Sequence, residues 1–198
     1  MAYPLNRFVR AMALLVPLIL LGCQDHAGRD DSAQAKASTV DDYVPPISGG
    51  GKGLNYSKAS IERYSAIGDG VEAGGSGMNP IHEDGDPGDA GEVCCSTFPG
   101  RWKPGMKVTI EWQRDKHPFD DNDRTGLQWL KAVAPVPEYD GRHTYGFWAI
   151  FLPGDRVKVA IADGNANGHN SVRTRPSDND PYVVQGVLDE ELNKEKRQ

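Results

Sequence analysis

In the stretch KVTIEWQR, residues 107–114, the apolar side chains of Val108, Ile110 and Trp112 fall at every second position, against Lys107, Thr109, Glu111 and Gln113. A period of two puts alternate side chains on opposite faces of an extended chain, so this stretch predicts a strand with one buried and one watered face. The pattern recurs where Val157, Val159 and Ile161 alternate with Arg156, Lys158 and Ala160. Just before it, TYGFWAIFL is apolar throughout, and Leu152-Pro153-Gly154-Asp155 separates the two runs. Proline presets the second position of a tight turn and glycine supplies the positive φ of the third, which predicts a hairpin over 144–162. Further strands are predicted at 61–66, 92–98 and 128–136, the last ending among prolines. No segment carries a long helical stripe. The predicted class is all-β, an antiparallel β-sandwich or partly open barrel of about five to seven strands.

The ends of the chain read differently. Arg7 and Arg10 precede an apolar run from Ala11 to Leu21, which closes on Leu20-Leu21-Gly22-Cys23. The run is about eleven residues, short of the roughly 20 that a membrane-spanning helix needs, and its layout is that of a secretion signal. Leu-x-Gly-Cys resembles the bacterial lipobox, which implies cleavage before Cys23 and acylation of that residue. By the same resemblance Gln24, in place of an aspartate, favours the outer membrane. Loss of residues 1–22 removes Arg7 and Arg10 and no acid, taking the formal charge from −6 to −8. An acidic chain is a poor electrostatic match for nucleic acid or an anionic membrane surface and suits a basic protein partner. Residues 23–53 are polar and end in Gly49-Gly50-Gly51-Lys52-Gly53, which predicts a disordered tether. The domain is therefore expected at 54–187, with a charged tail at 188–198.

With Cys23 assigned to lipid, Cys94 and Cys95 have only each other. Three outcomes are open in an oxidising compartment: a disulfide between neighbours, two buried thiols, or pairing with another molecule. The plainest is a pair of small apolar residues in the sheet core. Metal binding is disfavoured, since two adjacent ligands lack a companion pair.

Taken in order, GLNYSKASIERYSAIG, CCSTFPGRWKPGMKVTIEW, VPEYDG and FWAIFLPGDRVKVAIADGNANGH resemble a family of small bacterial lipoproteins catalogued as a domain of unknown function. The likeness runs from about Leu54 to His169 and is most specific at the Cys-Cys-x-x-x-Pro-x-x-Trp-x-Pro-Gly centre. Members are often encoded beside type VI secretion lipase effectors. The resemblance thus implies an immunity lipoprotein that protects its cell from a periplasmic phospholipase. The segment EAGGSGMNPIHEDGDPGDAG is longer than the family's usual stretch before the cysteines.

Catalytic motifs are missing from the sequence: there is no Gly-x-Ser-x-Gly elbow, Ser-x-x-Lys, His-Glu-x-x-His or Walker loop. The chain reads as a binding protein rather than an enzyme, needing no cofactor or catalytic metal. Asp163-Gly-Asn-Ala-Asn-Gly168 opens like a calcium loop, but its twelfth position is Thr174 instead of a bidentate glutamate, so Asx turns are the plain alternative. The expected function is neutralisation of a secreted lipase by a periplasm-facing, outer-membrane-anchored β-domain. Candidate contacts are Asp84, Asp86 and Asp89 in the acidic loop 82–89, and Phe119, Asp121 and Asp123 in the polar segment 114–126. The alternative is a structural or ion-binding envelope lipoprotein with no toxin partner.

Overall fold

The structure, a computed structural model, describes residues 44–120 and 122–195. The expected signal segment, Cys23 and Asp121 lie outside the described residues. Eleven strands form a single nearly closed, barrel-like sheet: β1 (Ile47–Asn55), β2 (Ser60–Gly68), β3 (Val71–Met78), β4 (Gly88–Asp89), β5 (Val93–Phe98), β6 (Lys107–Asp115), β7 (Gln128–Pro135), β8 (Phe147–Leu152), β9 (Arg156–Ile161), β10 (Val184–Gln185) and β11 (Val187–Leu188). A short helix, α1 (Glu190–Glu195), follows. The order is β10-β9-β8-β1-β5-β3-β2-β6-β7-β11, with β4 also pairing β1. All pairs are antiparallel except β1 with β8. Only Gly186 separates β10, which pairs β9, from β11, which pairs β7, so five residues of chain bridge the two ends of the sheet.

The all-β expectation holds, while the count of five to seven strands is too low. Two of the added strands, β1 and β3, are rich in glycine, and most of β1 falls in the stretch expected as tether. Here glycine serves close approach. A Cβ on Gly51 would run into the Gly74 carbonyl and the Ser96 hydroxyl, one on Gly53 into the Met78 sulfur, and one on Gly75 into the Tyr64 ring. The folded domain accordingly starts at β1, several residues before the expected boundary at Leu54.

Alternation on β6 appears as expected, with Val108, Ile110 and Trp112 buried and Lys107 and Thr109 exposed. They join Tyr64, Phe98, Leu130, Phe147 and Phe151 inside the barrel. The uniformly apolar β8 has a second burial partner. Its outward residues Ile150 and Leu152 pack with Tyr56 against Val172 and Val183 of the long β9–β10 connection, which crosses the outer face of the sheet. That strap also covers Lys158 on β9, whose ammonium lies 2.7 Å from the Asp180 carboxylate. Of the four tryptophans, Trp112 is fully buried and Trp102, Trp129 and Trp148 are half-buried.

The expected C-terminal tail is docked through its described residues, 188–195. Asp189 accepts the Glu191 and Leu192 amides as an N-cap (3.0 and 3.1 Å), and Asn193 reads the Trp129 backbone from both sides, accepting its N–H at 2.9 Å and donating to its carbonyl at 2.8 Å. Burial pushes the Asp189 carboxyl up, but the Leu192 amide, Lys131 at 3.1 Å and the Glu191 amide outweigh it and hold the group below its ordinary range. A depressed folded pKa means that the stabilisation is full above the unfolded value of about 3.9 and is lost as pH falls through the folded one. Asp189→Ala should cost about 1 kcal/mol at neutral pH, with faster hydrogen exchange at Leu192 and Asn193, and wild-type protein should show the same loosening only below about pH 4. Unchanged exchange in the variant would mean that the cap does not hold the helix.

Candidate functional site

The strand directions gather four connections at one end of the barrel: the β1–β2 turn, the start of the segment after β3, the β6–β7 loop and the β8–β9 turn. The β6–β7 loop carries Phe119, which is 88% exposed. Its backbone is fastened by its own polar groups. Lys116 N–H donates to the Gly126 carbonyl at the neck, the Asp120 amide to His117, the Asp123 amide to Asp120, and Asp120 Oδ1 accepts from Asn122. Asp123 accepts the Thr125 amide at 2.9 Å and its hydroxyl at 2.6 Å, and lies 2.7 Å from His117 Nδ1. These hydrogen bonds, from Thr125 first and then His117, hold the Asp123 carboxyl below the usual carboxylate range. At the base, buried Asp115 receives the His117 amide. The apolar ring is thus displayed on a preformed loop.

Asp84 and Asp86 sit at the same end. The Asp84 carboxylate accepts the Asp86 amide in a tight turn closed by the His82 amide on the Asp86 carbonyl; burial raises the nearby Tyr56 hydroxyl pKa, opposed by Arg175 and reinforced by Asp86. Asp89 stands apart, on β4 opposite Leu54 along the barrel wall. So Asp84, Asp86, Phe119 and Asp123 lie on connections at one end of the barrel, with Asp89 on β4 beside the last residues of β1.

Cys94 and Cys95 lie elsewhere again. Both are exposed at the start of β5 and joined to each other as a disulfide across a cis peptide bond, which is the neighbour pairing among the three outcomes left open and not the sheet-core placement. Their surroundings explain the exposure: the recess that they line is shared with Ser48, Gly49, Gly50 and Glu92, and the glycines offer no side chain to cover them.

Between the two loops opens a cleft of about 720 Å3. Its floor includes Trp112 and Phe151, and its lining carries five cationic side chains, Lys58, Arg114, Lys116, Arg156 and Arg175, against the single carboxylate of Asp155. Arg114, 4% exposed, is spanned by that carboxylate at 2.7 and 3.0 Å, and Arg156 is paired with Asp178 at 2.8 Å. This feature was missed in the sequence because the five cations come from distant positions and form no run. Ser57 and His117 also line the cleft, but the Ser57 hydroxyl is engaged by Asn55 Oδ1 at 2.7 Å. The arrangement offers binding chemistry: a displayed aromatic ring, fixed carboxylates and a cationic cleft.

At the opposite end, Asp163 accepts the Asn165 and Asp140 amides, both at 2.9 Å, and Asn165 accepts the Asn167 amide at 3.1 Å. These are Asx turns whose oxygens are taken up by backbone, and no group of three or more metal-ligating side chains occurs among the described residues.

A family model described as "Protein of unknown function (DUF3304)" matches residues 54–159. No curated protein and no solved structure matches the chain.

Proposed function

The chain belongs to the DUF3304 family of unknown function, and from that premise we propose that it is an immunity lipoprotein, a β-barrel tethered to the outer membrane through acylated Cys23 that binds and neutralises a secreted type VI lipase effector in the periplasm. The observation that carries the binding role is Phe119. A fully displayed aromatic ring on a loop already fixed by internal hydrogen bonds loses little conformational entropy on association, which is the property of an interface anchor. Asp84, Asp86 and Asp123, carried on connections at the same end, supply negative charge that steers a basic partner surface. The choice of a lipase as partner rests on the likeness of the cysteine-centred motif to immunity lipoproteins. Neutralisation is steric, by occlusion of the effector's active-site mouth, and requires neither cofactor nor catalysis by this chain.

The test is survival. Cells that direct the adjacent-gene lipase to their own periplasm should keep intact membranes only when this protein is present in the membrane fraction. Purified, the pair should bind at nanomolar order, about −12 kcal/mol. Phe119→Ala should weaken binding roughly thirtyfold or more, about 2 kcal/mol, without moving the thermal midpoint, because an exposed ring contributes little to the fold. Equal membrane damage with and without the exported protein would remove the immunity reading.

A further inference from the structure

The cationic cleft at the partner end is a charge inversion on an acidic chain. The whole sequence has a formal charge of −6, yet the cleft lining has five cations and one carboxylate. Arg114 is neutralised by Asp155 and Arg156 by Asp178. Lys58, Lys116 and Arg175 make no ion pair among the described residues, and all three are exposed around the opening. Unpaired cations of one sign, held on three separate connections around the same opening, attract an anion.

The floor beneath them is apolar. Ile61, Trp112, Phe151 and Leu152 are buried side chains that line the cleft from three strands, β2, β6 and β8, and Tyr56 and Ile81 add to the wall. A free inorganic anion would leave this surface unused, whereas a purely apolar guest would leave the cations without a partner. The volume lies within the range of small-molecule sites, roughly 300–1,000 Å3. We infer that the cleft binds an amphipathic anion: an alkyl chain against the floor, with a carboxylate or phosphate head at Lys58, Lys116 and Arg175. Free fatty acids and lysophospholipids share this chemistry.

The experiment uses the full chain with Cys23→Ala, and dodecanoate as probe below its micelle threshold, followed by calorimetry and by the fluorescence of Trp112 in the floor. Dodecanoate should bind with one-to-one stoichiometry and at least tenfold tighter than dodecyltrimethylammonium, which has the same tail and the opposite charge. Octanoate should bind at least tenfold weaker than dodecanoate. The double charge reversal Lys116→Glu with Arg175→Glu, at exposed positions, should reduce dodecanoate affinity at least tenfold with no change in thermal midpoint. Dodecyl phosphate and monomeric lysophosphatidylglycerol as further arms distinguish a carboxylate from a phosphate head, and tighter binding of either supports the site. Equal affinity for the cationic and anionic amphiphiles, equal affinity in the double variant, or binding to anionic vesicles with none to monomers would each overturn it.

Discussion

Lys158→Ala is expected to lower the thermal midpoint by about 6–20 °C. Its side chain is 4% exposed, that of Asp180, which it meets at 2.7 Å, is 11% exposed, and the Asp180 carboxylate also accepts the Tyr182 amide at 2.9 Å. Removing one partner of a buried pair strands the other charge, which costs about 3–5 kcal/mol, and each kcal/mol is about 2–4 °C in a chain of this size. The effect should be local before it is global. Asp180 belongs to the strap over β8 and β9, so its release uncovers Ile150 and Leu152, and limited proteolysis should cut the variant within the strap while the barrel persists. Lys158→Met combined with Asp180→Leu should recover most of the loss, since apolar replacements of similar volume remove both charges together. A single variant that melts with the wild type would show that the strap is held without this pair.

Trp112→Ala should be of similar size, about 3–5 kcal/mol, for a different reason. Trp112 is 1% exposed and packs against Phe151 with ring centroids 5.8 Å apart. Its ring also fills the space under Gly186, where an added Cβ would strike it. The substitution therefore opens a cavity beneath the residues that bridge the sheet's two ends. Chemical denaturation should show the loss at unchanged m-value, while Trp112→Phe, which keeps an aromatic ring there, should cost much less. A loss under 1 kcal/mol for alanine would mean that the barrel collapses to refill the site.

What the sequence disclosed depended on how each residue's environment is built. On β6 one face meets water and the other the core, so alternation was legible at Val108, Ile110 and Trp112. The hairpin of β8 and β9 was legible through its turn, where Gly154 and Asp155 both have positive φ. Lys158 misled, because period two assigns it to water and only the distant strap buries it. Gly51 and Gly53 misled for the converse reason: composition reads glycine as freedom, and here it marks where strands and side chains come too close for a Cβ. Phe119 stood out as an apolar residue in a polar loop, whereas the cationic cleft could not, since Lys58 and Arg175 meet only when the barrel assembles.

The parallel pairing of β1 with β8 has a kinetic consequence. Gly51 lies opposite Phe147, 96 positions later, and β1 runs beside β8 as far as Asn55 and Phe151. Although β5 offers β1 a nearer antiparallel neighbour, the β1–β8 pair cannot form until nearly the whole domain is available, because loop-closure entropy is lost before its contacts compensate it. The hairpins β2–β3 and β8–β9 can form early as local units, but completion waits for the two ends of the chain. Such high contact order places folding on the millisecond-to-second scale. In refolding, the amides of β2–β3 and β8–β9 should therefore gain protection from exchange before those shared by β1 and β8.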